Sequence, residues 1–287
     1  MGMQINTNLA ANNTYRNLNS TQNDLSKSLE KLSSGLRINR AADDAAGLAI
    51  SEGLRSQVGG LTVAARNAQD GISVVQTAEG ALTEVHSILQ RVRDLAVQAG
   101  NDSNNADART AIGTEVTALS KELTRIGNST NFNGINLLDT ADKTLTFQVG
   151  AGSTAANDQI DVKLTSVLAV GTAIDAIAAH VSDPATPAAG LGSAADALLA
   201  IKGIDDQIKA VSSARSELGA VQNRFEHSIA STNVAKENLT AAQSRIRDVD
   251  MAEEMVKYTR SNVLSQAGTA MLAQANQSTQ GVLSLLR

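Results

Sequence analysis

The feature that most constrains the fold is an apolar repeat that runs from Ile201 to Ile246 without a proline. Its members recur at alternating steps of three and four residues, the spacing of the packing face of a coiled-coil helix. A periodic run of this length predicts a long helical rod rather than a helix of average globular size. The repeat comprises Ile201, Ile204, Ile208, Val211, Arg215, Leu218, Gln222, Phe225, Ile229, Thr232, Lys236, Leu239, Gln243 and Ile246.

The same helical spacing recurs along most of the remaining chain, and the composition agrees with it. Two prolines in 287 residues interrupt few helices, and with aromatic residues at only 2% the core must be aliphatic. Gly- and Asn-rich stretches mark the breaks. The predicted helices cover 1–36, 50–99, 106–127, 201–246 and 251–287, with turns at 100–105, 131–134 and 248–250.

The middle of the chain has a different pattern. Residues 144–149 and 159–164 alternate with period two around a Gly/Ser/Ala/Asn-rich run, which predicts a β-hairpin. The Ala-rich segment that follows has Pro184 and Pro187 closing a short helix. The predicted fold is therefore mainly α, with long antiparallel helical rods in a coiled-coil-like bundle and a small β-hairpin insert.

The two terminal helices are the weakest elements of this plan. The first has one Leu row on an Asn-, Ser-, Thr- and Gln-rich surface, and the last is nearly neutral. Such a helix gains too little by burying one stripe to offset the entropy of ordering. We therefore expect both ends to be disordered in the free chain and to order on assembly.

No cluster of residues suited to catalysis or metal binding is present in the sequence. The chain has no cysteine, and none of its three histidines has a second His or Cys at metal-ligand spacing. The net charge of −5 argues against a nucleic-acid or anionic-membrane surface. We expect no enzyme activity, no cofactor and no transmembrane helix, and the N-terminus lacks the features of a secretory signal.

A charged stretch over residues 33–51, SSGLRINRAADDAAGLAIS, separates the first two helices. One interpretation is a charged joint between two rods, formed by Arg37, Arg40, Asp43 and Asp44. The other is a solvated helix face, on which Arg40 pairs with Asp43 or Asp44 in the next turn. Physical chemistry alone favours the solvated face.

This stretch resembles the N-terminal signature of bacterial flagellin, and the resemblance extends over about 3–140 and 200–287 but not over the middle. It implies a subunit that polymerises into the flagellar filament, here a minimal type with a short central region. The family pattern starts at Met3, so the preceding Met-Gly departs from it. The implied division is an inner terminal coiled-coil domain of 1–40 plus 248–287, a helical rod domain of 41–140 plus 200–247, and a short variable segment, 141–199, that carries the hairpin and is continuous with the rod domain.

The resemblance also implies the partners. Such proteins leave the cell unfolded through the flagellar type III export apparatus, which implies an extracellular filament and a secretion chaperone, with hook-associated and cap proteins at its ends. A hook-filament junction protein with similar terminal helices is the alternative within the same class. A soluble coiled-coil adaptor would instead require terminal helices that are ordered in the monomer.

Specific positions follow from the same resemblance. The segment 89–98 is similar to the region read by Toll-like receptor 5, although in a filament these positions would contact neighbouring subunits. The implied recognition or inter-subunit residues are Gln90, Arg91, Leu95, Gln98 and Glu115. The residues implied to pack in the inner tube are Leu18, Leu25, Leu29, Leu32, Leu36, Val282, Leu283, Leu285 and Leu286.

Overall fold

The computed structural model describes residues 8–140, 143–179 and 190–285, and side chains as far as residue 277. Long helices dominate it, as predicted. The helices are α1 (Leu9–Ser34), α2 (Ala45–Ala99), α3 (Ala106–Ser129), α4 (Ala155–Asp158), α5 (Val167–Ala179), α6 (Ala194–Arg247) and α7 (Met251–Leu285), and the strands are β1 (Asn131–Phe132), β2 (Ile135–Asn136), β3 (Lys143–Gln148) and β4 (Gln159–Leu164).

Helix ends are set by local backbone chemistry. Gly35 has φ +72°, a conformation that favours glycine, and its N–H donates to the Lys31 carbonyl, which ends α1. Asn105 starts α3 because its side chain accepts a hydrogen bond from the Ala108 N–H. The predicted end of α3 at Gly127 is two residues short of the observed end at Ser129. Pro184 and Pro187 lie outside the described residues.

The chain forms two compact units. The terminal unit comprises Met1–Val58 and Glu237–Arg287, and the central unit comprises Gly59–Lys236. Both α2 and α6 contribute residues to each unit. The division into inner, rod and variable domains at the boundaries given above stays a prediction.

The predicted seam of α6 forms much of the core of the central unit. Ile204, Val211, Leu218 and Phe225 are no more than 2% exposed, and the other described seam positions are buried or half-buried. Antiparallel packing of α2 on α6 follows from two ion pairs, Arg93 with Asp205 and Glu79 with Arg215. The long repeat therefore marks a helix packed along its whole length.

The predicted hairpin is confirmed. β3 and β4 pair antiparallel, with Thr144 opposite Lys163 and Phe147 opposite Ile160. Ile160, Val162 and Leu164 alternate with exposed residues, so one face of this ribbon joins the core. A smaller hairpin pairs β1 with β2 around Asn133 and Gly134, both with positive φ, as two-residue hairpin turns require.

Within the described ranges, no helix is both long enough and apolar enough to cross a membrane. Those residues also contain no group of three or more His, Asp and Glu side chains arranged to hold a metal ion.

Candidate functional site

The terminal unit is built on α1 and α7, which pack antiparallel. The Asn8 side chain donates to the Ala275 carbonyl at 3.0 Å, and the Ser28 hydroxyl donates to Glu254 Oε1 at 2.6 Å. An early residue of α1 thus meets a late residue of α7, and a late residue of α1 meets an early one of α7. The described side chains of α1 that face α7 are Ala11, Thr14, Leu18, Thr21, Leu25, Ser28 and Leu32, which repeat at steps of three and four.

The face that α7 turns towards α1 is mixed, with small or polar residues beside one tyrosine and one leucine. Its buried and half-buried members include Glu254, Tyr258, Ser261, Ser265, Gly268, Leu272 and Ala275. A Cβ added at Gly268 would lie 3.2 Å from Leu18 Cδ1 and 3.8 Å from Leu18 Cβ, so the two helices approach closely there. The absence of a side chain at Gly268 makes room for the leucine.

The opposite face of α7 is apolar and uncovered. Met255, Val256, Val263, Leu264 and Met271 are each between 53% and 64% exposed. Several of them line a shallow groove of about 700 Å³ together with Ala252 and Thr259. At 100° per residue, Val256 and Val263 lie on the far side of the helix from Glu254, whereas Met255, Leu264 and Met271 flank that side. An apolar strip of this length on a helix is a mark of an interaction surface.

The predicted inner-tube residues divide into three groups. Leu18, Leu25, Leu32 and Leu36 are half-buried, whereas Leu29 is 50% exposed and turned away from α7. Val282, Leu283 and Leu285 belong to α7, but their side chains are outside the described part, as is Leu286 altogether. Their packing in an inner tube stays a prediction.

The two linkers of the terminal unit, residues 35–44 and 248–250, are joined to each other. Leu36 and Asp248 form an antiparallel bridge, in which the Arg37 N–H donates to the Arg247 carbonyl and the Val249 N–H donates to the Gly35 carbonyl. The Arg37 guanidinium also donates to the Ile246 carbonyl at 2.6 Å, at the end of α6. Arg37 thereby satisfies carbonyls that the end of a helix leaves unpaired.

The other predicted joint residues have separate roles. The Arg40 guanidinium pairs with Glu30 at 2.9 Å, and among the described contacts its side chain pairs with neither Asp43 nor Asp44. Asp44 instead caps α2, since its carboxylate accepts from the Gly47 N–H at 2.8 Å. The solvated-helix interpretation of this stretch is therefore wrong, because Gly35 ends α1 and the chain re-enters a helix only after Asp44.

Asp43 closes a tight turn inside the first linker. Its carboxylate accepts hydrogen bonds from the Arg40 N–H at 2.9 Å and from the Asn39 N–H at 3.1 Å. These two bonds, that from Arg40 first, hold the pKa of Asp43 below its usual value because they stabilise the ionised form. Ile38 lies beside this turn, 1% exposed, and packs so close to Gly47 that a Cβ there would lie 2.9 Å from Ile38 Cδ1.

The predicted recognition residues lie in the central unit, on α2 and α3. Arg91 Nη2 is 2.6 Å from Glu115 Oε1, so the ion pair joins the two helices, and Gln90 and Gln98 are exposed. Leu95 differs, since it is 2% exposed and belongs to the core. The structure therefore places Arg91 and Glu115 in one surface patch and Leu95 beneath it.

Sequence patterns do not reveal two of these contacts. The Ser28–Glu254 hydrogen bond joins polar residues that are 226 positions apart. The Leu36–Asp248 bridge is a single residue pair between two short linkers, so it leaves no periodic pattern. The seven-residue spacing of Thr14, Thr21 and Ser28 could have indicated that Ser28 faces a partner helix, because it forms a second row beside the leucines. It does not identify Glu254 as the partner.

Both ends of the chain match known protein-family regions. Residues 5–143 match the bacterial flagellin N-terminal helical region, and residues 201–286 match the bacterial flagellin C-terminal helical region. The flagellin of Halalkalibacterium halodurans is 53% identical over 285 residues, covering 99% of this chain and 100% of the relative. The flagellin of Bacillus subtilis is 50% identical over 308 residues, with coverage of 99% and 100%.

Among solved structures, a putative flagellar hook-associated protein from Vibrio parahaemolyticus superposes with a TM-score of 0.59. The match covers 72% of this chain and 100% of that chain at 16% identity. At that identity the likeness shows a shared fold alone.

Proposed function

Because this chain belongs to the bacterial flagellin family and is a structural subunit of the extracellular flagellar filament, we propose that its α1–α7 pair is the element that joins neighbouring subunits. The observation that carries the proposal is the uncovered apolar face of α7, formed by Met255, Val256, Val263, Leu264 and Met271. In the filament, a second copy of this chain covers that face.

The energetics favour self-association over exposure. Burying apolar surface stabilises by roughly 25 cal/mol per Å², so each of these side chains contributes on the order of 1 kcal/mol when half of its area is covered. Every subunit presents the same strip, and a contact repeated between identical subunits by a fixed rotation and rise generates an open helical polymer.

The same strip accounts for ordering on assembly. Within one chain, the seam between α1 and α7 mixes small and polar side chains such as Ser265 and Gly268 with leucines that are only half-buried, so it buries limited apolar area. The terminal helices therefore lack the hydrophobic gain that offsets conformational entropy until a neighbour covers α7. The inner-tube leucines, including the exposed Leu29, pack at this stage.

The joined linkers act as the joint of the subunit. Arg37 fastens the first linker to the end of α6, Asp43 and Asp44 shape its path, and Arg40 ties it to α1 through Glu30. Each linker is restrained by the other through the Leu36–Asp248 bridge. A change in the shape of the filament requires these contacts to rearrange.

The patch at Arg91 and Glu115 has a second proposed role, as a contact between subunits and as the surface read by Toll-like receptor 5. Its support is an exposed ion pair with Gln90 and Gln98 beside it. Leu95 supports the patch from the core. The inner, rod and variable domain boundaries predicted from the sequence belong to the same proposal.

The remaining roles also belong to the proposal. The chain works as a structural protein without catalysis or a cofactor, leaves the cell through the flagellar type III apparatus with a secretion chaperone, and meets hook-associated and cap proteins at the filament ends. The hook-filament junction role is not favoured, because two flagellins are 53% and 50% identical to this chain over 99% of its length.

The test is negative-stain electron microscopy of the purified full chain, concentrated and seeded with filament fragments. We expect long filaments from the wild-type chain and none from Val263→Asp, because a carboxylate on the covered face would be buried without a partner. Val234→Asp is the matched control, since Val234 is also 59% exposed but lies on α6. Normal filaments from Val263→Asp would show that the α7 face is not covered on assembly.

A further inference from the structure

We propose that the buried Ser28–Glu254 hydrogen bond sets the rotation of α7 about its own axis, and thereby keeps the apolar face of α7 pointing away from α1. This inference rests on the proposed role of that face in assembly. It makes Glu254 a positioning residue whose removal turns the assembly face inward.

The starting point is that the packing of α7 is inverted relative to its chemistry. Leu18 of α1 meets Gly268, and the half-buried face of α7 also contains Ser261 and Ser265 beside Tyr258 and Leu272. Val256 and Val263 lie on the opposite, exposed side of the helix. Hydrophobic burial alone would favour turning the apolar face of α7 onto Leu18 and its neighbours. A specific interaction has to hold the observed orientation.

Glu254 is placed to be that interaction. Among the side chains that the structure describes, it is the one buried carboxylate, 5% exposed. A buried charge is costly unless it is paired and hydrogen-bonded. Here Oε1 accepts from the Ser28 hydroxyl at 2.6 Å, and Oε2 lies 3.8 Å from the Lys257 ammonium.

Rotating α7 so that its apolar face becomes buried would break the hydrogen bond of Glu254. Rotating α7 towards its hydrophobic side would pull Glu254 away from Ser28, the one buried residue of α1. The neighbouring Glu253 is exposed and pairs with Lys257 at 2.8 Å, so it has no corresponding preference. Buried polar groups are known to select one packing arrangement of helices among several.

The linkers fix where α7 begins but do not fix its rotation about its own axis. The Leu36–Asp248 bridge and the Asp250 cap, which accepts from the Ala252 N–H, fix where α7 begins. Neither contacts the helix beyond its first turn. Asn8 reaches the Ala275 backbone carbonyl, which is a weaker constraint on which side chains face inward.

Disulfide trapping tests the proposal directly, because the chain has no native cysteine. Leu18→Cys with Gly268→Cys reports the observed orientation, since the two Cβ positions are 3.8 Å apart, within the range of a disulfide. Leu18→Cys with Ala270→Cys reports the inverted one, because residue 270 lies on the opposite side of α7. The yield of each intrachain disulfide is measured by peptide mass spectrometry in filaments of the corresponding double-cysteine chain. The ratio of the 18–268 yield to the 18–270 yield is then compared between the otherwise wild-type background and each variant.

We expect the 18–268 disulfide to dominate in the wild-type background. Glu254→Leu should lower the ratio by roughly tenfold or more, the factor expected for loss of one hydrogen bond to a charged group. Glu253→Leu, the matched control, should leave it unchanged. Ser28→Ala should lower the ratio and Ser28→Thr, which keeps the hydroxyl, should preserve it.

Each outcome is decisive. A Glu254→Leu chain that fails to assemble alone is co-assembled with an excess of cysteine-free wild-type chain, where we expect the 18–270 disulfide to exceed the 18–268 disulfide. If Glu254→Leu and Ser28→Ala retain the wild-type ratio in assembled material, the proposal is overturned while the assembly role of α7 stands. If wild-type chains assemble but Val263→Asp does so equally well, the assembly role fails whatever the ratio.

Discussion

The ring of Phe225 lies edge-on against the ring of Phe147, with the centroids 5.6 Å apart and the ring planes at 90°. Phe225 is fully buried, and a Cβ added at Gly71 of α2 would lie 2.7 Å from its Cζ. One aromatic side chain of α6 therefore packs against both the hairpin and α2. Because the chain is only 2% aromatic, this one pair of rings provides aromatic packing that other proteins distribute over many residues.

Phe225→Ala should destabilise the central unit by about 3–5 kcal/mol, because it removes a large side chain and leaves a cavity between three elements. Phe225→Leu should cost clearly less. Thermal unfolding of the full chain followed by circular dichroism measures both. Gly71→Ala should be harmful in the wild type but tolerated beside Phe225→Ala, where the ring is gone, and additive effects of the two changes would contradict the contact.

Arg109→Ala should lower the melting temperature by several degrees, corresponding to about 1–3 kcal/mol. Arg109 is 8% exposed, and its guanidinium donates to the Asn101 and Asn104 carbonyls in the α2–α3 turn. The last turn of α2 has no basic residue of its own, so Arg109 supplies the positive charge there. Arg109→Lys should recover only part of the loss, since an ammonium group cannot reach both carbonyls as a planar fork does. Full recovery would contradict this account.

Asp43→Asn should weaken the first linker at neutral pH but not in acid. The pKa of Asp43 in the folded chain is below the ordinary 3.8, so its contribution is fully present above that value and is lost as the pH falls through the lower folded pKa. Hydrogen exchange of the Asn39 and Arg40 amides in filaments should be faster in the variant at pH 7. A difference that persisted unchanged once the pH had fallen through the folded pKa would rule out the carboxylate as the cause.

Arg40→Ala combined with Asp44→Ala should impair switching between straight and supercoiled filaments more than it impairs folding. The double change removes the Arg40–Glu30 pair and the cap of α2, both in the linker region, and leaves the core untouched. Filament shape is scored by electron microscopy across pH and salt, with Arg55→Ala, at an exposed i,i+3 ion pair, as the control. Filaments with wild-type shapes would remove the reason for assigning a joint role to these residues.

Deletion of residues 275–287 should leave α2, α3 and α6 helical but abolish polymerisation. It removes Ala275, the acceptor for Asn8, and the C-terminal apolar segment that ends in Leu285 and Leu286. Circular dichroism and seeded electron microscopy measure the two effects separately. Normal filaments from the truncated chain would contradict ordering of the termini on assembly.

The central unit was the more predictable part of the fold. The α6 seam from Ile204 to Phe225 was predicted position by position, since its burial follows directly from apolar spacing. The hairpin was likewise marked by period two, and its first strand begins and ends one residue earlier than predicted. These elements obey one physical rule, the burial of aliphatic side chains.

The terminal unit follows a different rule, and hydropathy explains less of it. Leu29 was predicted to pack in the inner tube, yet it is 50% exposed, and Thr14 and Ser28 occupy a second row that faces α7. Small hydroxyl side chains permit the close approach of helices seen at Gly268. Under the proposed assembly role, the apolar residues exposed in one chain are buried only by neighbouring subunits, so their spacing does not predict which residues are buried within the single chain.

The pairing of the first helix with the last has a consequence for the timing of assembly. Ser28 and Glu254 are 226 residues apart, and closing a flexible loop of that length costs roughly 5 kcal/mol in chain entropy. Prior folding of the intervening residues shortens this loop and lowers that cost. Because α7 is the last helix of the chain, α1 has no intrachain partner until α7 is present. If the chain is exported as proposed, the α1–α7 pair forms only after both ends of the molecule have left the export channel.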